Sequence, residues 1–369
     1  MKKWSFNFDC HMTKAKGNGG ASSSLPSKPV SLRTLAEFLK LSPATVSVVM
    51  NDSPAAKAIP AHTKERIQKA ARQLHYRPNF FARSLSLKRG YMIGVLTPDI
   101  SDGYHTLVMS GVGDHLMREG YFYFSAHHRH KPDLIEEYPR MLMSRGAEGI
   151  IAIDTHLTHK MSVPVVAIAG HRKIPGITNV VLDHRLAAEL ILQHLRDLGH
   201  RRIAFMHGQP FSSDSDERFT CLMAVAKELG VAVLPELTVQ LERDLTSPEL
   251  GYPVVQQLIS RGQKFTALVA FNDMSAIGAI RALRDANLSV PGDVSVIGFD
   301  DIQAARYLMP RLTTVRQPLQ QMGELAAKHL LQRIAKGNGR LPQVISIAPE
   351  LVVRESTGPP PRERAGKRS

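Results

Sequence analysis

The sequence predicts two unlike parts: a small all-α module near the N-terminus, then a larger α/β core made of two doubly wound subdomains. Three observations carry this. Between residues 30 and 76, apolar residues recur at helical spacing in short runs. From Tyr91 onward, short apolar runs alternate with amphipathic stretches, the pattern of parallel strands and crossover helices. The positive charge gathers at the ends of the chain. At 369 residues the chain exceeds what one compact core usually holds.

The charge bounds the partner. The net charge is +14, from 47 Lys and Arg against 33 Asp and Glu. Residues 1–29 carry +4, residues 30–90 carry +8 and residues 354–369 carry +3, while 91–353 carry −1. A basic, patterned module on a neutral body calls for a polyanion, with nucleic acid first. No apolar run is long enough to span a membrane, and Met1 to Gly20 lack the apolar stretch of a secretory signal. Cys10 and Cys221 form no disulfide framework and no zinc cluster, so a cytoplasmic setting is expected.

In chain order, residues 1–29 are rich in Gly, Ser and Lys and read as a disordered basic tail. Ser31 is placed as N-cap of a helix Leu32–Leu39, in which Leu32, Leu35, Ala36 and Leu39 recur at helical spacing. Ser42-Pro43 starts a second helix, Pro43–Met50, with Val46 and Val49 inward. A third runs from about Thr63 to Leu74, closing a domain at 30–76. Residues 77–90 read as a short hinge helix and linker. In the core, strands are expected at Ile93–Leu96, Phe122–Phe124, Ile150–Ile153, Val163–Ile168, Val180–Leu182, Ile203–Met206, Ala267–Phe271 and Val294–Phe299. Helices are expected at Leu186–Leu198, Phe219–Leu229, Met274–Ala286 and Leu319–Ile334. The first subdomain is drawn as 91–182 with 318–343, the second as 183–317 with 344–357, and 358–369 as a disordered tail. Ligands of such sheets sit at the carboxyl ends of the strands, so the expected site is the cleft between subdomains.

Two short helices and a tight turn, Leu39-Lys40-Leu41, can set the second helix in a DNA major groove. Ala44, Thr45, Ser47 and Val48 would then face outward, and Ser31, Ser42, Thr45, Ser47 and Asn51 are short hydrogen-bonding groups suited to phosphate. The runs Leu41-Ser42-Pro43-Ala44-Thr45-Val46-Ser47, Tyr76-Arg77-Pro78-Asn79 and Ala82-Arg83-Ser84-Leu85 resemble the lactose/galactose (LacI/GalR) repressor family. So do Asp197-Leu198-Gly199-His200, Pro291-Gly292-Asp293-Val294-Ser295, Gly298-Phe299-Asp300-Asp301 and Leu312-Thr313-Thr314. The likeness runs over about residues 30–357.

The resemblance implies an N-terminal all-α helix-turn-helix domain and an α/β periplasmic-binding-protein-like core. It implies a repressor, not an enzyme, that binds double-stranded operator DNA of near-palindromic sequence as a homodimer. Pro43, Ala44 and Val48 join the residues above as base-facing positions, with Arg77, Asn79 and Arg83 beyond them. Leu85 matches the hinge residue that wedges into the minor groove, at a cost of roughly a few kcal/mol per unstacked step. Val48 departs from the family, where a polar residue is common, and Val cannot read guanine bidentately. The segment from Asn51 to Thr63 is longer than usual.

By the same resemblance the cleft binds a small effector, often a sugar and sometimes a purine, with Tyr104, Asp214, Arg218, Asn272 and Asp300 as contacts and Ser212 beside them. Asn272 and Asp300 would offer acceptors to vicinal hydroxyls, and Tyr104 a stacking face. A sugar or polyol is favoured; Asp99, Ser101 and Asp102 match no one member. No cofactor or metal is expected: His127-His128-Arg129-His130 reads as a solvated loop, and His105, His156 and His159 lack ligand spacing. The competing reading is a solute-binding protein of periplasmic type, against which the basic module stands.

Overall fold

A computed structural model describes residues 30–51, 53–77, 89–101, 103–245, 247–337 and 342–361. The tail 1–29, most of the expected hinge with Asn79, Arg83 and Leu85, and Asp102 lie outside the described residues. The chain divides into two compact units, 1–88 and 89–369.

In the first unit, α1 spans Leu32–Leu39, α2 Pro43–Met50 and α3 Ala61–Gln73. Both expected N-caps form: Ser31 Oγ accepts the Thr34 amide and Ser42 Oγ the Thr45 amide, each at 3.1 Å. Lys40, at φ +53, ends α1, and its neighbour's amide closes back on Ala36. Leu35, Ala36, Leu39, Val46, Val49, Ile67, Ala70 and Ala71 make the core. The long segment after Asn51 holds a short 3-10 turn, Pro54–Ala58, which buries Ala56.

The second unit has two six-stranded sheets. The first, in order β11-β5-β4-β3-β1-β2, is parallel throughout. Its strands are β1 Met92–Thr97, β2 Phe122–His127, β3 Ala147–Ile153, β4 Val165–Ile168, β5 Ile177–Leu182 and β11 Val344–Ile347. The second, in order β12-β10-β9-β8-β6-β7, is parallel except that β12 runs against β10. It comprises β6 Ile203–His207, β7 Thr238–Gln240, β8 Ala267–Val269, β9 Ser295–Asp300, β10 Thr313–Arg316 and β12 Glu350–Val352.

Helices cover the faces because most strands are apolar on both sides. On the first sheet α4 (Gly103–Arg118) and α10 (Leu319–Lys336) pack on one face and α5 (Pro132–Ser144) on the other. On the second, α6 (His184–Asp197) and α7 (Ser215–Glu228) lie on one face, α8 (Tyr252–Ser260) and α9 (Asp273–Asp285) on the other.

The chain passes between the sheets three times: after β5, after β10 and after β11. The boundary drawn at 343/344 is therefore corrected, since Val344–Ile347 pairs with Asn179–Leu182 in the first sheet. Gly358, drawn at the start of the expected tail, is held by the second subdomain. Gly358 exchanges bonds with Ser295 Oγ, at 3.0 Å each way, and its carbonyl meets His200 Nε2 at 2.9 Å.

Candidate functional site

The first unit places its polar positions on one helix. Ser42, Pro43 and Ala44 are exposed at the start of α2, and Thr45, Ser47 and Val48 are half-buried along it. Ser42 Oγ is already engaged by the Thr45 amide, and Asn51 Nδ2 donates to Ser47 Oγ at 3.1 Å. Those two bonds fix the outer face of α2. Arg77 is exposed at the end of the described module. Sequence reasoning missed Arg66 on α3, whose guanidinium donates to the Leu39 carbonyl, a cation on the C-terminal dipole of α1.

The second site lies where strands of both sheets end. Its wall is Tyr104, His105, His130, Asp154, Gln209, Phe211, Ser212, Arg218, Asp244, Leu245, Phe271, Asn272 and Asp300, around a cavity of about 70 Å³. That is far below the roughly 300–1,000 Å³ of small-molecule clefts, so a sugar-sized ligand needs the two subdomains to part. Asp154 follows β3, Asn272 follows β8 and Asp300 ends β9. Asp154 and Asp300 hold φ of +41 and +120. Such strain persists where the surroundings over-determine it, often at functional sites.

Arg218, one turn into α7, is the central side chain. One guanidinium nitrogen donates to the Phe271 carbonyl at 2.7 Å and another to Asp214 Oδ2. The plane lies 3.8 Å over the Phe299 ring and 4.6 Å from Phe271. Its Nε–H is buried and meets no acceptor among the described residues. His130 Nε2 is likewise buried and unpartnered, its ring 4.3 Å from that of Phe211.

Asp214 lies beneath Arg218 rather than on the cleft wall. Its Oδ1 takes His171 Nε2 at 2.7 Å and His184 Nε2 at 2.8 Å. Burial by itself raises this carboxyl, but His184, Arg218 and His171 outweigh it and hold it well below the usual carboxylate range. Burial lowers His171 in turn, and its bond to Asp214 outweighs that, so His171 sits above its ordinary value. His171, His184 and Asp214 bring three ligand atoms within 4.8 Å of one another. A borderline divalent ion accepts that donor set, but the Arg218 charge on the same carboxylate opposes a cation there.

Several contacts join the subdomains across the cleft. Asp154 Oδ1 takes the Ser213 amide at 2.8 Å and Ser212 Oγ at 3.2 Å. His130 meets Asp244 at 3.1 Å, and His171 meets Asp214. Burial, with the charges of Asp214, Asp154 and Asp300, holds the Tyr104 phenol well above its ordinary range, so it is a neutral donor.

Two further expectations change. Asn272 Oδ1 caps α9 by accepting the Ser275 amide at 2.9 Å, so this oxygen is already engaged by the helix. His127 to His130 is no solvated loop. His128 is buried against Thr155 at 3.0 Å and pushed down to about 3 by burial first, then by neighbouring histidines. Asp99 folds onto its own loop, accepting the Ile100 and Ser101 amides, and is not on the cleft wall.

Comparison with known proteins settles the family. The model of bacterial regulatory proteins of the lacI family matches residues 32–79, and that of the periplasmic binding protein-like domain matches 192–357. The transcriptional regulator GalR of Escherichia coli is 30% identical over 340 residues, covering 90% of this chain and 97% of its own. The chain belongs to the lacI family of bacterial regulatory proteins. The repressor PurR of Haemophilus influenzae is 28% identical over 337 residues, 88% of this chain and 98% of its own. The Lac repressor dimer bound to operator and an anti-inducer shares the fold, with a TM-score of 0.80 at 24% identity, over 90% of this chain and 100% of that one. As a lacI-family protein the chain is a DNA-binding transcriptional repressor, and its relatives are regulators rather than enzymes. No helix among the described residues is long and apolar enough to cross a membrane.

Within the lacI family's two-part plan, the sequence placed Arg218, Asn272, Asp300 and Tyr104 on the cleft wall, where they lie. It missed Asp154, Gln209, Phe211, Asp244 and the two histidines on Asp214. The signal was weak, because each stands alone in a loop after a strand. Only the topology brings them together.

Proposed function

We propose that this repressor binds a near-palindromic operator as a homodimer, and that a neutral polyhydroxylated molecule, a sugar or polyol, in the cleft controls that binding. The observation that carries the effector half is the buried, unpartnered Nε–H of Arg218 on the cleft wall. Leaving such a donor unmade costs about 1–3 kcal/mol, more when charged, and a ligand oxygen recovers it. The Arg218 charge is already matched by Asp214, and Asp154, Asp244 and Asp300 add negative charge to the wall. That balance disfavours an anion and suits hydroxyl donors. Tyr104, Phe211 and Phe271 supply apolar faces for a sugar ring.

Support for the dimer comes from surfaces the monomer leaves apolar. Edge strand β2 exposes Phe122 at 71% and Phe124 at 46%, Met117 beside it is 72% exposed, and the second subdomain exposes Tyr307 and Met309 at 77% and 93%. An apolar edge strand invites a second copy. On the DNA side, Thr45, Ser47 and Asn51 hold α2 for phosphate and base contact, with Ala44 and Val48 suited to thymine methyls. Asn79, Arg83 and Leu85 are proposed for the minor groove.

A thermal-shift screen of sugars, polyols and nucleosides on the full chain tests the effector. The expected hit is a neutral polyol whose stabilisation grows with concentration and disappears in Arg218→Ala. A hit that survives Arg218→Ala and Asp300→Ala equally would remove the cleft as its site.

A further inference from the structure

Arg89, Gly90 and Tyr91 are the first described residues after the linker that follows the DNA-binding module. They are held by one carboxylate. Glu148, at the start of β3, accepts the Tyr91 backbone N–H on Oε1 at 3.0 Å and the Arg89 guanidinium on Oε2 at 3.0 Å. The Tyr121 hydroxyl donates to the same Oε2 at 3.3 Å and accepts from Arg89. The guanidinium lies 4.8 Å over the Tyr91 ring, and the Tyr91 and Tyr121 rings are 5.4 Å apart. Gly90 presses on the turn before β3: a Cβ there would stand 2.2 Å from the Gly146 carbonyl oxygen. Tyr91 holds φ +47, which a bulky residue keeps only when its surroundings over-determine it.

Stability alone does not account for this. The Arg89 side chain is 41% exposed, and a pair that open contributes little to folding. The cluster does fix a position and a direction, that of the chain where it leaves β1 toward the linker. We propose that Glu148 is a positioning residue for operator binding: with Arg89 and Tyr121 it clamps the core end of the linker. Motion of the first subdomain is then passed into the linker rather than absorbed at its end. Pre-organising a tether lowers the ordering cost of the specific complex, while non-specific binding draws on the charge of the module. The clamp deepens the operator reading and rests on it.

The test uses full-length protein and duplex sites enriched from random-sequence DNA by the wild type. Affinity for an enriched site and for a scrambled duplex is read by fluorescence anisotropy, and core melting by calorimetry. Glu148→Ala is expected to weaken the enriched site by about tenfold or more, a loss of about 1.4 kcal/mol. The scrambled duplex is held as tightly as by wild type or slightly better, since a negative charge has gone. Tyr121→Phe, which keeps the ring packing, weakens the enriched site less. Glu148→Gln, which keeps an acceptor for the Tyr91 amide, falls between wild type and Glu148→Ala. The clamp is overturned if Glu148→Ala and Tyr121→Phe bind the enriched site like wild type. It is also overturned if both duplexes weaken equally or the loss tracks a fall in core melting. A wild type that enriches no site overturns the operator reading itself.

Discussion

Arg218 shows how one residue joins structure to control. Its charge is matched beneath by Asp214, its plane is covered by Phe299, its Nε–H meets no acceptor among the described residues, and the residue lines the cleft. Replacing it by Ala removes the donor and strands the Asp214 carboxylate on its two histidines. Effector affinity is expected to drop about 10- to 100-fold, as a lost charged hydrogen bond of about 1.5–3 kcal/mol implies, measurable by calorimetric titration with the screened hit. His171 gives a pH dependence. Its value is raised in the fold, so its stabilising bond to Asp214 is complete below the ordinary histidine value of about 6.5 and is lost as pH climbs through the raised value. The charged groups around it are Asp214, Glu217 and Arg218, with His184 beside it. His171→Gln is expected to flatten the melting temperature between neutral and alkaline pH; an unchanged slope would assign the dependence elsewhere. At this scale the sequence was legible where one residue acts alone, as Arg218 does. It was not legible for Asn272, whose oxygen was assigned to a ligand and is spent on a helix cap. Nor was it for Asp214, whose neighbours His171 and His184 come from other segments.

Among the elements, the first two helices of the DNA module were read to the residue, because Ser31, Ser42 and Pro43 mark their starts. The third begins at Ala61, two residues before the expected Thr63, where no side-chain cap marks it. Ser42→Ala is expected to cost the module about 1 kcal/mol in melting experiments, and to loosen the face of α2 that Thr45 presents. The core was harder. Strand β10 and edge strands β7, β11 and β12 are three or four residues long with mixed patterning, and only pairing defines them. The α4–α10 crossing also escaped the sequence. A Cβ on Gly111 would stand 1.9 Å from the Gln320 carbonyl oxygen, and one on Gly323 would stand 2.2 Å from that of Val108. Two backbones touch there, and α10 returns the chain to the first sheet. Gly111→Ala is expected to force the helices apart, lowering core melting by roughly 2–10 °C, as about 1–3 kcal/mol of overpacking implies. An unchanged melting temperature would mean the crossing is not tight.

For the whole molecule, the division of labour follows the charge. The basic module meets DNA, and the near-neutral core carries the cleft. Two copies are needed if the exposed Phe122 and Phe124 are to be covered. Lys at both positions is expected to give monomers in sedimentation and to weaken operator binding, with the cleft's ligand affinity unchanged. A ligand in the cleft is expected to govern DNA binding. The most direct measurement of this control is the anisotropy of an enriched operator duplex, titrated with full-length protein at fixed salt, with and without the cleft ligand found by thermal shift. The ligand is expected to move the operator Kd at least fivefold, the low end of allosteric coupling at about 1 kcal/mol, and to need about 10- to 100-fold higher concentration to do so in Arg218→Ala. An operator Kd that stays the same at saturating ligand would contradict it.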